Sequence, residues 1–94
     1  MPAAQPLSIA ASAPVSAGPA YVYEIYVEAG ADVATVELAN QATSGGTRLL
    51  GARAGANGQT TRSFPKGAYF DTAVYATVTG TAPVIEIVWS KEPA

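Results

Sequence analysis

After about residue 20, apolar and polar residues alternate with a period of two, and Gly, Pro, Asn and Asp interrupt the alternation at short intervals. Successive side chains of a strand point to opposite faces, so this pattern predicts short antiparallel strands with one face buried. Tyr21 to Val27 reads as the first long strand, with Tyr21, Tyr23, Ile25 and Val27 inward and Val22, Glu24, Tyr26 and Glu28 on the other face. Beyond the turn Ala29-Gly30-Ala31-Asp32, the segment Val33 to Ala39 turns Ala34, Val36 and Leu38 inward. Ser44-Gly45-Gly46 reads as a turn, and Arg48 to Ala54 as a strand weakened by Gly51, with Leu50 and Ala52 sharing a face. Gln59 to Phe64 follows the loop Gly55-Ala56-Asn57-Gly58, and Phe64-Pro65-Lys66-Gly67 reads as another turn. Val74, Ala76 and Val78, then Ile85, Ile87 and Trp89, form the last inward rows. No stretch has a 3.6-residue apolar period, so the expected fold is all-β: an antiparallel β-sandwich of roughly six to eight strands. Without a Cys–Trp–Cys arrangement, a jelly-roll-like topology is favoured over an immunoglobulin one.

The first twenty residues differ in composition. Ala, Pro and Ser dominate, with prolines at positions 2, 6, 14 and 19 and only Leu7, Ile9 and Val15 as larger apolar groups. Such a segment has little apolar surface to offset the entropy of ordering it. It reads as an extended, flexible arm (1–20) ahead of a sandwich domain (21–94), with Leu7, Ile9 and Val15 docking on a neighbour. Proline stiffening lowers the entropy lost on docking. The stretch has neither the basic start nor the unbroken apolar middle of a secretory signal, which leaves cytoplasmic synthesis as the expectation.

Composition narrows the chemistry. The chain has no His and no Cys, which removes Ser-His and Cys-His nucleophilic pairs, disulfides and the usual zinc ligands. Glu24 and Glu28 share a strand face about 13 Å apart, too far to share a proton. No dense Asp/Asn cluster suggests calcium, and neither glycine-bearing loop matches a phosphate-binding fingerprint. The expectation is a non-enzyme with no cofactor. The five cations are dispersed and the formal net charge is −2, which argues against nucleic acid as a partner. No apolar run reaches the length of a membrane helix. Low charge with high apolar content suits a chain covered by copies of itself or by a host surface. Val22 and Tyr26, on the face opposite the core-like row, are the expected contact. The tyrosines leave a carbohydrate-binding module as the reading from another class.

At Thr47-Arg48-Leu49-Leu50 and again from Phe64 to Trp89, within a similarity that spans about residues 21–89, the chain resembles small virion proteins of tailed bacteriophages. The likeness lies in Tyr21-Val22-Tyr23-Glu24-Ile25-Tyr26-Val27, Val36-Glu37-Leu38, Gly46-Thr47-Arg48-Leu49-Leu50 and the aromatic-Pro-x-Gly element Phe64-Pro65-Lys66-Gly67. Phe70-Asp71-Thr72 and Val84-Ile85-Glu86-Ile87-Val88-Trp89 complete it. Ala73 stands where many of those proteins have Gly. The resemblance implies capsid decoration, also called cement: small β-sandwich subunits on the outer face of a phage head, bound to the major capsid protein. Local three-fold positions on a shell favour a trimer over a dimer. A head-fibre base or tail-associated sandwich is the structural alternative. Few exposed charges imply shell binding that survives raised salt.

Overall fold

A computed structural model describes residues 4–43 and 47–91 of the chain. These form eight strands: β1 (Gln5–Ile9), β2 (Ala13–Ser16), β3 (Ala20–Glu28), β4 (Ala34–Ala39), β5 (Arg48–Ala54), β6 (Gln59–Phe70), β7 (Val74–Thr79) and β8 (Val84–Ser90). Two four-stranded antiparallel sheets face each other, one ordered β1-β8-β3-β6 (sheet A) and the other β2-β7-β4-β5 (sheet B). The pairs β1–β8, β2–β7, β3–β6 and β4–β5 are nested, as if one long ribbon had been rolled up. That arrangement is the jelly roll, two Greek keys closed into a sandwich. The Ser44-Gly45-Gly46 turn lies outside the described residues.

The core is the set of inward rows. Val22, Ile25 and Val27 of β3, Ile85, Ile87 and Trp89 of β8 and Phe70 of β6 pack from sheet A. Val36 and Leu38 of β4, Val74 and Ala76 of β7 and Ala52 and Ala54 of β5 meet them from sheet B. Burying each of the larger aliphatic side chains contributes about 1.5–3 kcal/mol. The small side chains of β5 leave room for the large ones of the opposite sheet. Four of the inward rows follow the alternation in the sequence: Ala34/Val36/Leu38, Leu50/Ala52, Val74/Ala76/Val78 and Ile85/Ile87/Trp89.

β3 departs from that alternation. Its burial runs through Ala20 and Val22, then skips to Ile25 and Val27. The cause is a β-bulge. Val22 pairs with Trp89 and Glu24 with Val88, so Tyr23 is one residue more than β8 can match. On the other side, Val22 pairs with Ala68 and Glu24 with Ser63, which leaves Phe64-Pro65-Lys66-Gly67 opposite Tyr23. The aromatic-Pro-x-Gly element is therefore an insertion bulging out of one long edge strand, where the missing proline N–H costs no ladder bond. Gly67 has φ +82°, and a Cβ there would lie 2.8 Å from the Tyr23 ring. The extra residue reverses the expected faces at the start of β3: Val22 is core, and Tyr21 and Tyr23 point outward.

The expected boundary near residue 20 is also corrected. Gln5–Ile9 pairs along β8 and Ala13–Ser16 along β7, so the proline-rich start supplies one edge strand to each sheet of its own chain. Leu7 and Ile9 pack against the core and Val15 is buried within it. The energy of docking these three apolar groups comes from the interior of the same roll.

The four sheet edges are blunted. β1 and β2 have five and four residues, and each contains a proline, which gives an incoming strand little to pair with. At the other side, the β6 side chains bond the free edge of β5: Arg62 Nη1 donates to Gly51 O at 2.7 Å and Thr60 Oγ1 to Arg53 O at 2.8 Å. The end of the roll formed by connections 10–12, 29–33, 55–58 and 80–83 is tied through Asn57 N to Gly30 O (2.7 Å) and Thr81 Oγ1 to Asp32 Oδ2 (2.6 Å). Two residues of the 80–83 turn take positive φ, Gly80 at 114° and Ala82 at 51°. A Cβ on Gly80 would come within 2.9 Å of Val33 O, whereas Ala82 carries its Cβ in the left-handed region. Gly80→Ala is therefore expected to destabilise by about 2 kcal/mol or more. Ala82→Gly is expected to raise stability by about 0.5–1 kcal/mol through relief of left-handed strain. Urea unfolding of both variants checks the opposite signs.

Candidate interaction surface

Of the five residues expected at an interface, four are interior. Val22 and Val15 belong to the buried core, and Leu7 and Ile9 pack against it. Tyr26 alone stands on an outer face. Its neighbours across sheet A are Glu86 of β8 and Thr61 of β6. Its hydroxyl donates to Glu28 Oε1 at 2.6 Å, and the Gln59 side-chain oxygen lies 2.9 Å away. The bond to Glu28, followed by partial desolvation and the charges of Glu28 and Glu86, holds the Tyr26 phenol above its ordinary pKa. It thus stays protonated, as a donor, through neutral and mildly alkaline pH.

The cross-strand rows give the rest of this face. Pro6, Val88, Glu24 and Ser63 form one row, Ser8, Glu86, Tyr26 and Thr61 the next, and Val84, Glu28 and Gln59 a third. Three carboxylates and no Lys or Arg stand in these rows. Beyond the bulge, Tyr21 pairs with Tyr69, their ring centroids 4.7 Å apart and tilted by 37°. Tyr69 is 53% exposed, the most exposed of the large apolar side chains described. Beside it the Phe64–Gly67 insertion and Ala68 line an open, mainly apolar depression of about 400 Å³. Arg62 reaches over the Phe64 ring, 5.4 Å from its centroid. The pairing of Tyr21 with Tyr69 was hidden in the sequence, because alternation without the bulge sends Tyr21 into the core.

The outer face of sheet B is different. Thr79, Thr35 and Arg53 form one row and Thr77, Glu37 and Gly51 the next. Having no side chain, Gly51 leaves an open depression between Thr35, Glu37, Arg48 and Arg53, about 370 Å³ in volume. Arg48 pairs with Glu37 at its rim, both side chains being well exposed. The one sign of this depression in the sequence is Gly51 itself, a glycine inside a strand.

At the end opposite the four tied connections, Asn40 joins the β4–β5 and β6–β7 connections. Its amide donates to Asp71 Oδ1 at 2.6 Å, and its Oδ1 accepts from Thr72 N at 2.9 Å. The Asn40 bond, with help from the Thr72 hydroxyl, holds the Asp71 carboxyl below its ordinary pKa. These bonds tie two connections together at this end of the roll. Among the described residues no group of three or more His, Cys, Asp or Glu is placed to hold a metal ion, and no helix is long and apolar enough to cross a membrane. Compared with family models, with curated proteins and with solved structures, the chain gives no match.

Two outcomes follow from these positions. Val22→Lys places a charge in the core and is expected to abolish folding, whereas Tyr26→Lys is expected to melt within a few degrees of the parent. Comparing the two by circular dichroism checks the reversed faces of β3. A depressed folded-state pKa at Asp71 contributes stability above the unfolded carboxylate value of about 3.9, lost as pH falls through the lower folded value. Asp71→Asn is therefore expected to lower the melting temperature at neutral pH, and the difference from the parent should shrink below about pH 4.

Proposed function

We propose that this chain is a structural virion protein of the capsid-decoration type, bound to the outer surface of a phage head and bridging its major capsid subunits. The resemblance over residues 21–89 supplies the role. The observation that carries it to a surface is the exposed Tyr69 ring, set against Tyr21 beside the Phe64–Ala68 depression on an otherwise closed jelly roll. A rigid aromatic group beside an apolar hollow suits a contact that excludes water. Each copy contributes a modest contact, and repetition over a shell turns modest contacts into avidity.

The shell contact is assigned to this aromatic end in place of a free arm, because residues 5–16 are engaged in the roll. It rests on apolar packing and is expected to survive raised salt, which screens exposed ion pairs. The same ring is what a carbohydrate-binding module would present to a sugar, and binding on a glycan array would favour that second reading. Copies per particle separate a shell protein, present in large numbers, from a head-fibre or tail component. The direct test is to heat purified heads with and without the protein and follow genome release. The protein is expected to raise the release temperature, and Tyr69→Ser to remove most of the gain. Equal release temperatures with and without the protein would overturn the reading.

A further inference from the structure

We propose that copies of this chain associate head to tail, the outer face of sheet A of one copy seating on the outer face of sheet B of the next. Three observations meet in this contact. The first is charge: the outer rows of sheet A hold Glu24, Glu28 and Glu86 without a cation, whereas sheet B presents Arg53 and the Arg48–Glu37 pair.

The second is shape. On β3, Tyr26 lies between Glu24 and Glu28, half-buried and with its hydroxyl donated to Glu28 Oε1. On β5, Gly51 leaves a hollow flanked by Arg48 and Arg53. A low ring beside two carboxylates thus faces a hollow bordered by two arginines, one of them already paired with Glu37.

The third is spacing. Glu24, Tyr26 and Glu28 follow one another at two-residue steps, about 13 Å from end to end. Arg48, Gly51 and Arg53 are five residues apart in sequence, but a bulge at Leu49 removes one of those steps. They stand opposite Ala39, Glu37 and Thr35 of β4, again two-residue steps and about 13 Å. The charge–ring–charge pattern and the charge–hollow–charge pattern therefore have the same repeat.

The like-with-like alternative is disfavoured by the same distribution. A two-fold contact through sheet A would set Glu24, Glu28 and Glu86 against their own copies, and like charges held together oppose association. A contact between two different patches either closes a ring or runs on as an open row. This inference concerns the chain alone and stands whether or not the shell reading does.

The test is sedimentation velocity of the full chain at low ionic strength, from micromolar to millimolar protein. The parent is expected to associate with rising concentration, and added salt to reverse it. Arg53→Glu and Glu28→Arg should each weaken association about tenfold, since each replaces an attraction by a repulsion. The double variant Arg53→Glu/Glu28→Arg, with both charges exchanged, should associate close to the parent. An equimolar mixture of the two single variants should form mixed dimers. Melting curves establish that each variant is folded, and the pair Glu24→Arg and Arg48→Glu replaces the pair Glu28→Arg and Arg53→Glu if Glu28→Arg is not. A parent that stays monomeric over the whole range overturns the proposal. So does association that Glu28→Arg strengthens and Arg53→Glu leaves unchanged, which would mark a contact through sheet A alone.

Discussion

β3 lies between β8 and β6, pairs with both, and has to match two partners of different length. One extra residue, Tyr23, resolves the mismatch with β8, and four residues of β6, Phe64 to Gly67, bulge out opposite it. Because side chains alternate strictly along a strand, a single extra residue exchanges inside for outside. This is how Ala20 and Val22 reach the core at one end of β3 while Ile25 and Val27 reach it at the other. The surface follows from the same step: Tyr21 is turned out to meet Tyr69, and Tyr26 is left standing among glutamates. Gly67, with no Cβ to strike the Tyr23 ring, is what lets the two bulged segments lie against each other.

The nested pairing brings the beginning and end of the chain together, and this decides the role of the N-terminal segment. Alone, residues 5–16 have too few apolar groups to hold a structure. Set along β8 and β7, they acquire ladder hydrogen bonds and a place for Leu7, Ile9 and Val15. Their prolines, which read as marks of a flexible arm, serve as edge protection instead. With β5 and β6 bonded to each other at the opposite side, the roll presents its two outer faces and its loop ends, and few free strand edges, to other molecules.

Those two faces have separate characters. Sheet A is acidic along its middle and aromatic at one end; sheet B carries threonines, two arginines and the hollow over Gly51. Two faces of different character are what the proposed contact between copies requires. The proposed apolar contact at the aromatic end and the proposed charge pairing between faces would respond differently to salt, which makes the two separable in solution.

The all-β class, the inward rows of β4, β5, β7 and β8, and the exclusion of His- and Cys-based chemistry were all legible in the sequence. Those features rest on local alternation and on which residue types are present, and neither depends on distant parts of the chain. The preference for a jelly roll over an immunoglobulin topology was also legible, from the lack of a Cys–Trp–Cys arrangement. Tertiary structure alone decided the inner face of early β3, the engagement of residues 5–16 and the position of every candidate contact residue except Tyr26. In each case the deciding interaction joins residues far apart in sequence: Tyr23 with the Phe64–Gly67 insertion, β1 with β8, β2 with β7. A bulge is a mismatch between partners, and alternation along a single strand carries no record of the strand it will be paired with.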